Sequence, residues 1–583
     1  MCGVFGVSNI TVAELAVAND ALHTLEHRGP DGWSHVHEQG VYMGHRRLSI
    51  LDLSENGSQP MEADGVYLTV NGEIYNFKEL NEELFKNHKV KFKSSSDSET
   101  LLHGYIHWGL EELLNKIEGM FAFVIYDSNS QQIHLARDHA GIKPLYYSFV
   151  DGRLAWGSEL KALERFYEDA GLQYDYSAVY DFLTYKYIPS PKSLYKNVFK
   201  LPAAHSLTYD MRSKNLSKTK YWSLKPNRHI QNEDEAKALI ENAVRTAVKS
   251  HLVADVPVGS FLSGGVDSSI VSYEASRCVD VLNTCSIGFE DEKVDESVYA
   301  NAVAKAIGSQ HKIQVTHHDF VNQNFRLMKT LFDEPFADTS AFPTFNVSAL
   351  AAENMTVVLT GDGGDELFAG YNHYLDWYQK LTPWLGFLWP LRPVIQFVKN
   401  RQLGVLSRLA KKAEIFTILN PLERKVRLSG GVLKHDKIKK AFRKKYNIPN
   451  SYDDLWHFKA HDMAKLSPLS RALYLDFHTT MTDDILCKVD RCSMAHSIET
   501  RVPFLDKKVV EAAWQIDEKL LVKNRTLKYL LKKIYEDKLP NECLYRTKQG
   551  FSLGQAKSGD ALDLRHKNIQ QNVLENVFEI EVS

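Results

Sequence analysis

Apolar residues are spaced in two ways along the chain, and the change of spacing divides it. Up to about residue 210 they form short runs, Val66 to Val70, Met120 to Tyr126, Ile133 to Ala136 and Leu154 to Trp156, separated by Gly, Asn and Asp. Such runs predict the strands of a β-rich, layered domain over residues 1–210. Between Thr208 and Asp234 Lys, Ser and Asn dominate and the periodicity fades, so residues 211–234 are expected to be a connection. A helical period follows, with Ala236, Leu239, Ile240, Ala243, Val244, Ala247, Val248 and Leu252 on one stripe that must pack against something. Three short apolar runs come next, Val256 to Leu262, Thr284 to Phe289 and Thr356 to Leu359, each entering a glycine-rich loop. Their alternation with helical stretches predicts an α/β domain over residues 235–583, built on a parallel sheet with ligands at its carboxyl edge.

Leu381 to Val398 (LTPWLGFLWPLRPVIQFV) is mostly apolar and nearly long enough to span a bilayer. Its three prolines and Arg392 argue for broken core or interface helices instead. A chain of 583 residues exceeds one hydrophobic core, which agrees with two domains. With 44% hydrophobic and 25% charged residues, a formal net charge of -3 and no long run of like charge, nothing invites nucleic acid. The expected partners are small molecules, with no nucleic acid and no membrane, and a homodimer is left open. The opening MCGVFGVSNI lacks the pattern of a secretory signal, and the six cysteines form no CxxC pair, so a reduced, cytoplasmic protein is expected.

Cys2 follows the initiator Met, and removal of that Met would leave a thiol beside its own α-amine, which can take the thiol proton without a histidine. Farther on, Asn71-Gly72 taken alone favours a hairpin turn. In the second half, Phe261 to Ser269 reads FLSGGVDSS, an apolar run entering a Gly-Gly turn before a helix-compatible segment. Glycines let the backbone approach phosphates and the helix N-terminus favours anions, so Leu262, Ser263, Gly264, Gly265, Asp267 and Ser268 form a candidate pyrophosphate cradle. The GK[ST] ending of a Walker A loop is absent.

The stretches HRGPDG (27–32), GHRRLSI (44–50), NGEIYN (71–76), SSDSE (95–99), GMFAF (119–123) and RDHAGIKPLYY (137–147) follow in order. Together with SGGVDSS, TGDGGDELFAGY (360–371), DRCSMAHSIETRVPFLD (490–506) and RTKQGF (546–551), they resemble the glutamine-hydrolysing asparagine synthetase family, whose glutaminase domain uses an N-terminal nucleophile. The resemblance implies an N-terminal four-layer αββα glutaminase domain followed by an ATP-pyrophosphatase-type synthetase domain. It implies Cys2 as nucleophile, Arg47 on the α-carboxylate of glutamine, and Asp97 with the backbone or side chain of Glu73 on its ammonium. Asn71 and the N–H of Gly72 would stabilise the oxyanion. For the second site it implies ATP and Mg2+, with Asp267 and Asp365 on the metal. Thr360 and Gly361 would contact the nucleotide, with Leu262 and Ile287 near adenine; Asp362 would work at the acyl centre, and Lys548 would neutralise the departing pyrophosphate. Asp362 stands where that family commonly has Glu. Asp333, Glu334, Asp490 and Arg501 are either acceptor-pocket residues or ordinary ion pairs, and an internal passage from Cys2 to Asp362 is expected.

The implied reaction amidates a carboxylate through an acyl-adenylate, with aspartate as the first acceptor to consider and a glycan sugar acid or a natural-product acid as the alternative. A ring-closing relative of β-lactam synthetase type would not need Cys2, Arg47, Asn71 and Asp97 together, and a non-catalytic relative would not keep both sets.

Overall fold

The computed structural model describes residues 1–290, 295–316, 325–375, 389–400, 405–546 and 569–582. The first half holds two six-stranded sheets. In one, the strands lie in the order Val198–Lys200, Tyr146–Val150, Arg153–Gly157, Gly3–Val7, Val41–Arg47 and Gly32–Glu38. In the other they run Asn215–Lys220, His205–Asp210, Gln132–Arg137, Gly119–Asp127, Val66–Ile74 and Met61–Ala63, with neighbours antiparallel.

Strand Gly119–Asp127 shows why such strands are apolar throughout. Phe121, Phe123 and Ile125 face Leu101, Leu102 and Leu113 of helix Asp97–Lys116. Ala122, Val124 and Tyr126 face Val4, Met43 and Trp156 of the other sheet. Side chains alternate across a strand, so a strand covered on both faces has no position left for polar residues. Helices Leu15–His23 and Leu160–Phe166 close the outer face of the first sheet, setting Ala18, Leu22, Leu160 and Leu163 against Phe5 and Val7. The layers are therefore helix, sheet, sheet, helix.

Part of the expected connection is sheet. Asn215–Lys220 pairs with His205–Asp210 as an edge strand, and its largely exposed Asn, Lys, Ser and Thr side chains erased the apolar alternation that would have marked it. Residues 221–229 carry no helix or strand. They lead to Asn232, whose side chain accepts from the N–H groups of Asp234 (2.9 Å) and Glu235 (3.0 Å) and so starts helix Glu233–His251.

In the second half a five-stranded parallel sheet has the order Gln310–Thr316, Asn283–Phe289, Val258–Phe261, Val357–Leu359, Glu499–Arg501. By chain position this is third, second, first, fourth, fifth, so the direction of winding reverses between Val258–Phe261 and Val357–Leu359. Loops leaving the carboxyl ends of these two strands diverge and open a crevice, the usual ligand position in such sheets. Ile240, Val244 and Val248 of helix Glu233–His251 join Ile270 and Leu359 in one core, and Val347, Leu350 and Ala351 of helix Ala341–Ala352 join Cys285, Ile287 and Val358 in another. Residues 381–388 of the stretch Leu381 to Val398 lie outside the described residues; helix Arg392–Asn400 covers its end, with Val394 and Phe397 exposed. Among the described residues no helix is long and apolar enough to cross a membrane.

The halves meet across a buried ionic seam. Arg28 Nη1 lies 2.6 Å from Glu159 and 2.9 Å from Asp490, Arg491 lies 2.7 Å from Glu159, and Lys161 lies 3.3 Å from Asp333. Glu334 pairs with Lys200, and Arg501 pairs with Glu499 (2.6 Å) and Glu73 (3.4 Å). Asp333, Glu334, Asp490 and Arg501 are thus ion pairs that join the halves. Ions this deeply desolvated are held only by their partners, so the seam fixes one relative placement. Helix Ile569–Asn576 adds to it, since the Gln570 side chain donates to the carbonyl of Leu183 at 3.3 Å.

Candidate active sites

Cys2 immediately precedes strand Gly3–Val7 and is buried. Its backbone N–H donates to Asn71 Oδ1 at 3.1 Å, its thiol approaches the Leu48 carbonyl at 3.9 Å, and its carbonyl accepts from Arg28 Nε at 3.2 Å. Burial pushes the thiol pKa up, opposed mainly by the nearby terminal ammonium. A thiol in this place therefore needs a base.

Asn71 and Gly72 do not form a hairpin turn. They lie inside strand Val66–Ile74, opposite Ala122 and Phe121. Gly72 has φ +154, and a Cβ there would collide with the Met120 carbonyl, so the close pairing requires glycine. Asn71 is fully buried, and its Nδ2 has no hydrogen-bond partner among the described residues. An orphaned amide donor beside a thiol is what a substrate oxyanion would satisfy. Arg47 ends strand Val41–Arg47, and its guanidinium donates to the carbonyls of Ser54 (2.8 Å) and Asp52, which hold the side chain in place. Asp97 opens helix Asp97–Lys116 and accepts from the Ile74 N–H at 2.6 Å. Burial raises its pKa to about 6. Glu73 is committed by its side chain to Arg501 across the seam.

Met1 is buried among Leu48 and Ile50 of the first half and Val357 and Met494 of the second, with its ammonium 2.9 Å from Glu499. It thus stands between the thiol and the parallel sheet.

At that sheet a cavity of about 740 Å3 is lined by Leu262, Ser263, Gly265, Asp267, Ser268, Ile287, Thr360, Gly361, Asp362 and Asp365. The loop after Val258–Phe261 supplies Ser263 to Asp267, and Gly265 caps helix Val266–Ser276. Gly264 turns that loop with φ +70, where a Cβ would strike Tyr299 and Ala300. The loop after Val357–Leu359 supplies Thr360 to Asp365, and Thr360 Oγ1 donates to Asp362 at 2.7 Å. Asp267 and Asp365 converge on one ammonium, that of Lys528, which pairs with Asp267 and lies 2.5 Å from Asp365. Lys528 left no mark in the sequence, where it is one lysine among many. Lys548 lies outside the described residues.

Thus fold and sites define a two-site enzyme, with thiol chemistry in an antiparallel sandwich joined to a glycine-loop cleft on a parallel sheet. Comparison with known proteins agrees. Residues 239–579 match the model of the asparagine synthase family and residues 1–222 that of the glutamine amidotransferase domain. The chain belongs to the asparagine synthetase (glutamine-hydrolysing) family. It is 35% identical to asparagine synthetase [glutamine-hydrolyzing] 1 of Bacillus subtilis over 94% of this chain and 87% of that one. It is 34% identical to a putative asparagine synthetase of Methanocaldococcus jannaschii over 85% of this chain and 98% of that one. A protein named amidase chyE from Penicillium rubens is 27% identical over 96% of this chain and 88% of its own.

Proposed function

We propose that the protein transfers the amide nitrogen of glutamine to a carboxylate activated by ATP, with aspartate as acceptor and asparagine, glutamate, AMP and pyrophosphate as products. The observation that carries this reading is the convergence of Asp267 and Asp365, from the two loops at the winding reversal, on a single cation within the cavity that also holds Asp362. Two carboxylates so placed fit a hard divalent cation shared with phosphate oxygens, and magnesium bound there would neutralise charge on the triphosphate.

Removal of Met1 would turn the Cys2 N–H into an amine still within reach of Asn71 Oδ1. That amine takes the thiol proton, and the thiolate attacks the glutamine amide carbon. Asn71 Nδ2 and the Gly72 N–H receive the oxyanion, while Arg47 and Asp97 hold the two ends of the α-amino acid group. Collapse releases ammonia and leaves a thioester, which water hydrolyses to glutamate. Meanwhile an acceptor carboxylate oxygen attacks the α-phosphorus of ATP, pyrophosphate leaves, and ammonia displaces AMP from the acyl carbon beside Asp362. Space vacated by Met1 lies between residues of both halves, which supports an internal route that keeps ammonia unprotonated.

A panel of carboxylic acids, assayed for acid-dependent pyrophosphate release with ATP and glutamine, tests the reading. Aspartate is expected to give the largest release. Release with a different acid alone would reassign the acceptor and keep the mechanism, and no release with any acid would end it.

A further inference from the structure

The two loops that supply Ser263 to Asp267 and Thr360 to Asp365 form one end of the cavity, and charged residues of other elements line the rest. Lys186, Asp338, Ser340, Thr480, Asp484 and Lys488 line it there. The charges of Lys488, Asp338, Asp484 and Asp362 are close enough to act on one another, so this part adjoins Asp362.

Most of these groups are satisfied within the protein. Lys488 Nζ donates to Asp338 Oδ2 at 3.1 Å and to Ser340 Oγ at 2.8 Å, and Asp338 Oδ1 accepts from the Ser340 N–H at 3.0 Å. Two are not. Asp484 Oδ1 is buried with no hydrogen-bond partner among the described residues. The Lys186 ammonium makes no hydrogen bond or ion pair among the described residues, and it does not pair with Asp484 although each feels the other's charge. A buried carboxylate oxygen left without a donor is costly unless a ligand supplies one.

Backbone geometry holds both groups at the cavity. Lys186 caps helix Tyr176–Tyr185 in the left-handed conformation, and its carbonyl accepts from the Ala337 N–H at 2.9 Å, which sets it beside Asp338. Asp484 sits in the π-helical stretch Phe477–Ile485, a wide turn that opens the regular ladder; such turns are frequent at functional sites. Thr480 and Asp484 of that stretch, and Lys488 of the helix Leu486–Met494 that continues it, follow one another at intervals of four and line the same cavity.

We propose that the acceptor is held across the domain boundary by a two-point clamp, Lys186 of the first half on a carboxylate and Asp484 of the second on an ammonium, so that it binds as a zwitterion with a further carboxylate left for activation beside Asp362. The clamp rests on the amidation reading above and adds the residues that select the acceptor. An amino dicarboxylic acid satisfies both points. A sugar acid without an amine satisfies one.

The test measures pyrophosphate release with ATP for aspartate, its α-amide and its N-acetyl derivative in the full chain and in Lys186→Met and Asp484→Asn. Losing a charged hydrogen bond predicts that Lys186→Met raises the KM for aspartate about 100-fold, with a far smaller change in the KM for ATP. The α-amide, already a poor acceptor of the unaltered enzyme, is expected to be no worse with Lys186→Met, and the N-acetyl derivative no worse with Asp484→Asn. Lys186→Arg keeps the charge and should recover part of the affinity. If each variant discriminates against its analogue as sharply as the unaltered enzyme does, or if an acid without an amine is the preferred acceptor, the clamp is wrong while the amidation reading stands. Absence of release with every acid in the unaltered enzyme removes that reading and the clamp with it.

Discussion

The two reaction centres solve opposite problems with buried charge. Around Cys2 the protein closes on itself: thiol, amide and carboxylates are buried, and a neutral donor beside the thiol, Asn71 Nδ2, has no partner among the described residues. At the parallel sheet the protein leaves a cavity of about 740 Å3 and puts the ammonium of Lys528 between Asp267 and Asp365. On the proposed reading the first centre makes a nucleophile that water would protonate, so it gains from exclusion of solvent. On the same reading the second admits a triphosphate, so its carboxylates are set at strand ends and balanced by an ammonium that a metal-bound nucleotide would replace.

This contrast is broken most severely at Cys2. Cys2→Ala removes the thiol proposed to take the glutamyl group, so glutamine-driven synthesis should vanish while synthesis from an added ammonium salt persists. Equal loss of both would show that the centres do not divide the labour as described. A smaller effect is expected from Asp267→Asn. Metal-assisted stabilisation of a phosphoryl transition state is worth several kcal/mol, so acid-dependent pyrophosphate release should fall about 10³-fold. Glutamine hydrolysis, measured as glutamate formed, should continue, because the substitution lies on the far side of the ionic seam.

How well each centre could be read from the sequence follows from the same contrast. The glycine loop was legible because its parts are contiguous: Ser263 to Ser268 turn, cap a helix and present Asp267 within one short stretch. The strands and the amphipathic helix Glu233–His251 were legible because burial imposes a period. Asn71-Gly72 misled when taken alone, since a turn dipeptide is indistinguishable from a strand interior until Phe121 and Ala122 are seen opposite it. Edge strand Asn215–Lys220 was missed because pairing on one side demands no apolar residue. Lys186, Asp484 and Lys528 were invisible for a different reason. They are ordinary residue types far apart in the chain, and only tertiary structure shows which charges lack a partner or share one.

Asn71→Ala sharpens the comparison further. The vacancy at Nδ2 has meaning only if a substrate oxygen fills it in the transition state, so kcat for glutamine hydrolysis should drop about 10²-fold with KM little altered. Synthesis from added ammonium should be retained. An unchanged kcat would assign Asn71 to holding the Cys2 backbone alone, through the 3.1 Å contact at Oδ1.

The mildest effect concerns proton occupancy of Asp97. Burial is the main cause that lifts its carboxyl to about 6, with Glu499 adding to the rise and the Ile74 N–H and Arg501 opposing it. Because the folded value is raised, the carboxylate proposed to hold the glutamine ammonium is present above about pH 6 and lost as the pH falls through it. The ammonium of glutamine does not titrate in this range, so only the protein side of the pair changes. kcat/KM for glutamine, which reports the free enzyme, should therefore be level above that value and fall about tenfold per pH unit below it. Asp97→Asn should lower kcat/KM at neutral pH and flatten the acid limb. A variant that keeps the same break would place the titrating group elsewhere, with Glu73 next to be tested, since burial followed by the charges of Glu499 and Asp97 raises its carboxyl as well.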